Sequence, residues 1–163
     1  MQHIRDYDPL LLLATAMAAK RRPAELVEVI AAIDLIQGSV PGEEKLLETI
    51  GRLGQLGLLL EADGGLALTP AAQSLVEALP AKADYAERLF DLRARLAAYV
   101  PLGESAPIQL DAALVHAAIL EQRAAAKVGG KNLLMPKPPA EKTSQARPGQ
   151  RQRKPLAKKP RQR

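Results

Sequence analysis

Apolar residues recur every three or four positions through the first half of the chain, and this spacing predicts amphipathic helices. The first predicted helix covers residues 10–20, with Asp8 as its N-cap and Pro9 at its first position, where a missing N–H is tolerated. The second covers residues 23–37 and ends at Gly38.

A third predicted helix opens at Pro41, and acidic residues in its first turn face the positive end of the helix dipole. Its predicted buried stripe consists of Leu46, Ile50 and Leu53. Gly57 ends it, since glycine takes the left-handed conformation that follows a helix C-terminus.

A hairpin is predicted after the third helix. Two short apolar strands, residues 58–62 and 66–68, flank residues 63–65, where glycines supply the positive φ that a tight turn needs. Thr69 then caps a fourth helix, which Pro80 ends.

Two further helices, at about residues 82–100 and 109–127, are predicted to form a helical hairpin. The first carries a seam suited to a partner helix, formed by Tyr85, Leu89, Leu92, Leu96 and Tyr99. This seam is predicted either to pair two copies of the chain or to pack within one chain. The Gly129-Gly130 pair is predicted to mark the end of the folded part.

Positive charge is concentrated at the C-terminal end of the chain. Residues 127–163 carry twelve Lys or Arg against Glu141 alone, a net of +11, which leaves −6 for residues 1–126. This proline-rich tail has too few apolar residues to offset its ordering entropy, so we expect it to be disordered. Its basic residues are predicted to bind nucleic acid, DNA rather than RNA, through Arg151, Arg153, Lys154, Lys158, Lys159, Arg161 and Arg163. A solubilising tail and a tail bound to the acidic body are the alternatives.

Composition favours a mainly α fold, because the chain has only four aromatic residues and its core must consist of Leu, Ala, Ile and Val. There is no cysteine, which excludes disulfides and thiolate metal sites. The apolar run at residues 10–19 is too short to span a bilayer, and acidic residues before it and basic residues after it oppose a signal peptide. We expect a cytoplasmic protein without a membrane partner.

Catalytic and metal motifs are missing from the sequence: it has no nucleophile elbow, no H-E-x-x-H and no phosphate loop. His3 and His116 have no partner at metal-ligand spacing. The G-x-x-G-x-x-G run at residues 51–57 lies on a helix rather than before one, so it indicates close packing and not a nucleotide site. We therefore expect neither an enzyme nor a cofactor.

The segment AIDLIQGSVPGEEKLLETIGRLGQLGLLLEADGGLALT, residues 32–69, resembles bacterial winged helix-turn-helix proteins of the multiple-antibiotic-resistance-regulator and related types. It is also similar to small winged-helix proteins whose activity is not established. The matching residues are Leu53, Gly57, Leu58, Leu66, Leu68, Thr69 and Pro70. The resemblance implies three helices, a two-stranded wing and a closing helix, within residues 1–80.

In that family the exposed side of the third helix and the wing read DNA. The resemblance then implies that Lys20, Arg21 and Arg22 contact phosphates and that Lys45, Thr49, Arg52 and Gln55 face the groove. The first predicted function is thus a DNA-binding transcriptional regulator, with residues 81–127 as a helical hairpin that could mediate dimerisation and residues 128–163 as the anchoring tail.

Acidic residues favour a second interpretation. The predicted outward side of the third helix carries three acids against two bases, and the wing carries Glu61 and Asp63 with no basic residue. Carboxylates repel phosphates by the Coulomb interaction that attracts Lys and Arg. The alternative function is a protein-interaction or scaffold module whose acidic face binds a protein and whose tail binds an anionic partner.

Overall fold

The computed structural model describes residues 4–103 and 105–134, and it describes side chains up to residue 128. The fold is mainly helical with one small antiparallel sheet. The elements in chain order are α1 (Tyr7–Ala18), α2 (Leu26–Gln37), α3 (Glu43–Gln55), β1 (Leu59–Ala62), β2 (Gly65–Leu68), α4 (Pro70–Glu77), α5 (Tyr85–Ala98) and α6 (Ala112–Leu134).

Helix α1 lies at the centre of the core. Its residues 8–15 are all buried, and it packs against α2, α3, α4, α5 and β2. The helix begins at Tyr7 rather than at residue 10. Asp8 therefore lies in its first turn and is not the predicted N-cap, because its carboxylate accepts the backbone N–H of Arg5 at 2.8 Å and is held by a side chain of α3.

The ends of α2 and α3 follow local backbone chemistry. Glu25 and Glu28 form a capping box at the start of α2, and Gly38, with φ of 72°, ends it as predicted. Gly57 has φ of 67° after α3, and the N–H of Leu58 donates to the carbonyl of Leu53 at 3.0 Å. The predicted glycine terminators of both helices are confirmed.

The predicted hairpin is confirmed. β1 begins one residue later than predicted, and β2 begins one residue earlier. β1 and β2 pair antiparallel from Leu59↔Leu68 to Ala62↔Gly65, and Asp63 and Gly64 form the turn with φ of 50° and 74°. The loop between α1 and α2 pairs with β2 through a single antiparallel bridge, in which Ala24 and Leu66 exchange two backbone hydrogen bonds of 2.8 Å.

Thr69 begins α4 as predicted. Its hydroxyl accepts the N–H of Ala72 at 3.4 Å and donates to the carbonyl of Gly57 at 2.7 Å. This one side chain connects the end of α3 with the start of α4.

Helices α5 and α6 use different partners. The buried Leu92 and Leu96 of α5 lie in the common core, and α5 packs against α1 and α4. The buried face of α6 includes Val115 and Ile119, and its polar contacts reach α2 and α3. The predicted α5–α6 hairpin therefore differs from the structure, because the apolar seam of α5 is already used on the body.

The C-terminal boundary also differs from the prediction. α6 continues through Gly129 and Gly130 to Leu134. The predicted seam is mostly occupied within the chain, since Leu92 and Leu96 are buried, Leu89 and Tyr99 pack against the core, and Tyr85 lies at its exposed end. Packing within one chain is thus the observed use of this seam.

Candidate functional site

The outer face of α3 is the surface that the sequence predicted to be functional. Exposed Glu44, Glu48 and Gln55 recur along this side of the helix, while Leu46 and Leu53 lie in the core. We call Glu44, Glu48 and Gln55 the α3 outer face. It carries two carboxylates, and the exposed Lys45 lies beside it.

Arg52 does not belong to this face. Its Nη2 lies 2.5 Å from Oδ1 of Asp8, and its Nε donates to both Asp8 oxygens at 3.2 Å. The Asp8 side chain is 2% exposed and that of Arg52 is 20% exposed. The expectation that Arg52 points outward is wrong, because the carboxylate that α1 buries needs a cation beside it.

Thr49 is also turned inward, with 3% of its surface exposed. Its hydroxyl donates to the carbonyl of Lys45 at 2.7 Å, and this satisfied hydroxyl lets threonine face the core. The expectation that Thr49 faces outward is therefore wrong. Gln55 and Lys45 are exposed as predicted.

Cations beside the outer face are already engaged. The ammonium of Lys45 lies 5.3 Å from the centroid of the Tyr7 ring, a cation–π geometry. Glu48 forms an ion pair with Arg5 and lies 3.7 Å from Nη1 of Arg52. These contacts tie Lys45 and Arg52 to the start of α1, and Glu44 forms no ion pair with any other described residue.

The glycine side of α3 is covered by the segment between α5 and α6. A Cβ atom placed on Gly54 would lie 2.8 Å from both Cγ1 and the backbone nitrogen of Ile108, and one on Gly57 would lie 3.0 Å from Oγ of Ser105. The predicted close packing of the glycine run is confirmed, although its partner is an irregular segment rather than a helix. No local sequence signal indicates the role of Ile108, since this contact joins positions distant in the chain.

Helix α6 reaches the first turn of α3. Nδ1 of His116 lies 3.1 Å from Oε2 of Glu43, and Nε2 of Gln122 donates to Asp34 of α2 at 3.3 Å. His116 is therefore an exposed partner of a carboxylate. Among the residues that have described side chains, no group of three or more His, Cys, Asp or Glu is arranged to hold a metal ion.

Lys20, Arg21 and Arg22, which are predicted to contact phosphates, are all exposed, but Arg22 is already ion-paired. Nη2 of Arg22 lies 2.6 Å from Glu28, and its Nη1 lies 3.8 Å from Glu25. Lys20 and Arg21 are exposed and form no ion pair with any other described residue. Two of the three predicted phosphate contacts thus remain available.

A groove of about 440 Å³ lies between the start of α2, the β1–β2 turn and α6. Apolar side chains, among them Leu26, Leu66, Leu110 and Leu114, line it. Its lining also contains the acidic residues Glu25, Asp63 and Glu121. The groove thus combines apolar surface with negative charge.

The remaining predicted residues, Arg151, Arg153, Lys154, Lys158, Lys159, Arg161 and Arg163, lie outside the described part of the chain. In the part that is described, no helix has both the length and the apolar character needed to cross a membrane.

No protein-family model, curated protein or solved structure matches this chain. The resemblance to winged-helix proteins therefore stays a prediction that rests on sequence motifs and on the order of the elements.

Proposed function

We propose that the body is a winged helix-turn-helix domain that binds a basic protein segment, and that the basic tail binds nucleic acid. The order α1, Ala24 bridge, α2, α3, β1, β2 and α4 supports the fold assignment, with β1 and β2 as the wing. The chain is then an adaptor between a protein and a nucleic acid.

The inward position of Arg52 is the observation that carries this proposal. A recognition helix in the major groove needs cations and hydrogen-bond donors that point toward the DNA. The α3 outer face instead presents Glu44 and a Glu48 that is paired with Arg5 and Arg52, and the wing presents Glu61 and Asp63. These carboxylates favour a cationic protein surface over phosphates.

The groove beside the wing supports the same class of partner. Its volume of about 440 Å³ suits one or two side chains of a bound peptide. Its leucine lining favours an apolar anchor, while Asp63 and Glu121 favour neighbouring Lys or Arg side chains. We expect the partner to present an apolar residue flanked by cations.

The tail supplies the affinity for nucleic acid in this proposal. If its seven last cations all bind phosphates, affinity for duplex DNA falls about 10³- to 10⁴-fold between about 50 and 200 mM salt. DNA is the expected partner. The contacts should not depend on the base sequence, because the phosphates are the same at every base pair.

A DNA-binding regulator is the second candidate, and the exposed Lys20 and Arg21 before α2 favour it. Fluorescence anisotropy with a duplex at low salt separates the two. One full-length variant changes the seven cations of residues 151–163 to Gln, and a second carries Lys20→Gln and Arg21→Gln.

The proposal predicts that the tail variant loses at least about 100-fold in affinity while the loop variant stays within about twofold of the wild type. Salt-sensitive binding that survives in the tail variant and disappears when Lys20 and Arg21 are also changed would establish the regulator instead.

A photo-crosslinking residue at position 55 tests the protein partner in cells. Gln55 lies on the α3 outer face, and the exposed Gln73 of α4 provides the control position. The proposal predicts one protein crosslinked from position 55 and not from position 73. Crosslinks to nucleic acid from position 55 would contradict it.

A further inference from the structure

Phe90 is the only phenylalanine of the chain, and it is 73% exposed on the middle of α5. The buried Leu92 and Leu96 lie on the opposite side of the same helix. Exposure of a large aromatic side chain in so aromatic-poor a sequence marks a candidate contact surface.

The residues around Phe90 form a continuous exposed stripe. Positions three, four and seven residues away share its side of the helix. The stripe consists of Ala86, Glu87, Phe90, Arg93, Ala94 and Ala97, all exposed, and we call it the Phe90 face. Its alanines allow another helix to approach closely.

The charges of this face are arranged symmetrically about Phe90. Glu87 lies three residues before it and Arg93 three residues after it. In an antiparallel pair of α5 helices related by a two-fold axis at Phe90, each Glu87 faces Arg93 of the other copy, and Ala86 faces Ala94. A parallel pair would instead place like charges opposite one another.

We propose that a second copy of this chain docks on the Phe90 face, with the two α5 helices antiparallel and the Phe90 side chains stacked at the axis. The self-complementary charge pattern selects this occupant, because an isologous interface requires each patch to match itself. This interface is independent of the proposed adaptor function.

The proposed interface leaves the fold of each copy unchanged. Nη1 of Arg93 lies 2.7 Å from Oδ1 of Asp6, the residue before α1, yet the Arg93 side chain is 55% exposed and its guanidinium has donors for a second carboxylate. The seam on the other side of α5 remains in the core. A single helix pair is smaller than a standard interface, so we expect a dissociation constant on the order of tens of micromolar.

Sedimentation velocity of the full-length protein over a range up to about 500 µM tests the interface. The wild type should dimerise, and Phe90→Ala should weaken association at least about tenfold. Glu87→Arg and Arg93→Glu should each be monomeric, because each places two like-charged pairs across the axis.

The decisive experiment combines the two charge variants. A mixture of Glu87→Arg with Arg93→Glu protein should form a heterodimer, and the double variant should recover the homodimer, since both restore opposite charges across the axis. Glu77→Arg on α4 is the matched control and should dimerise like the wild type.

A monomeric wild type over this concentration range overturns the proposal. So does a dimer that the single charge variants leave intact, or a failure of the mixture and of the double variant to recover association. A variant that merely unfolds would not be rescued by mixing, so recovery isolates the interface from stability.

Discussion

Replacing Arg52 by alanine should destabilise the fold, because it leaves the buried carboxylate of Asp8 without its guanidinium partner. Breaking one side of a buried ion pair costs about 3–5 kcal/mol. The Asp8 side chain is 2% exposed, but Arg52 is 20% exposed, so truncation lets water approach the carboxylate. The N–H of Arg5 also still donates to it at 2.8 Å.

We therefore expect the lower end of that range, a loss of about 3 kcal/mol in the free energy of unfolding. For a domain of this size such a loss lowers Tm by about 10 °C. Urea denaturation followed by circular dichroism measures the first quantity and a thermal scan measures the second.

The exposed pair of Arg22 and Glu28 provides the control. Their side chains are 58% and 41% exposed, so Arg22→Ala should cost no more than about 1 kcal/mol. A double variant with Asp8→Asn and Arg52→Met should be more stable than Arg52→Ala, because it removes both charges. If Arg52→Ala costs no more than Arg22→Ala, the structural role assigned to Arg52 is refuted.

Two further changes test the packing around α3. Gly54→Ala should destabilise the protein by about 1–2 kcal/mol in denaturant titrations, because the new Cβ overlaps Ile108, whereas Gly103→Ala, which meets no atom within 4 Å, should change stability by less than about 0.5 kcal/mol. An equal effect of the two would contradict the close contact. Thr69→Ala should lower the free energy of unfolding by about 1 kcal/mol in the same assay. Thr69→Ser keeps the hydroxyl and should retain most of the stability that the threonine provides. Equal losses for Ala and Ser would show that the cap contributes nothing.

Local signals predicted the fold around the hairpin correctly. Gly57, Asp63 with Gly64, and the cap of Thr69 on Ala72 act through the backbone conformation and hydrogen bonds of nearby residues, so these roles follow from short sequence motifs. Local residues are therefore sufficient to predict where these turns lie.

The orientation of Arg52 and Thr49 could not be predicted in the same way. Helical periodicity places both beside the exposed face, and the partner that turns Arg52 inward, Asp8, lies 44 residues away. A lone aspartate at the start of an apolar helix was the available signal, since a carboxylate in that setting needs a cation when buried.

The partners of α5 and α6 were mispredicted for a related reason. Neighbouring helices joined by a short linker commonly pack together, but residues 99–111 separate α5 from α6 in the structure. Here Ile108 occupies the glycine side of α3, and α6 contacts α2 and α3 while α5 contacts α1. Sequence periodicity identifies an apolar face but not the surface that covers it.

We propose that α3 does not read DNA and that the tail binds it. The most direct test is an amide-resolved NMR titration of the full-length, ¹⁵N-labelled protein with duplex DNA. We expect shifts and broadening for amides of residues 135–163 and unchanged signals for α3 and the β1–β2 turn. Selective perturbation of α3, centred on Glu44, Glu48 and Gln55, would contradict it.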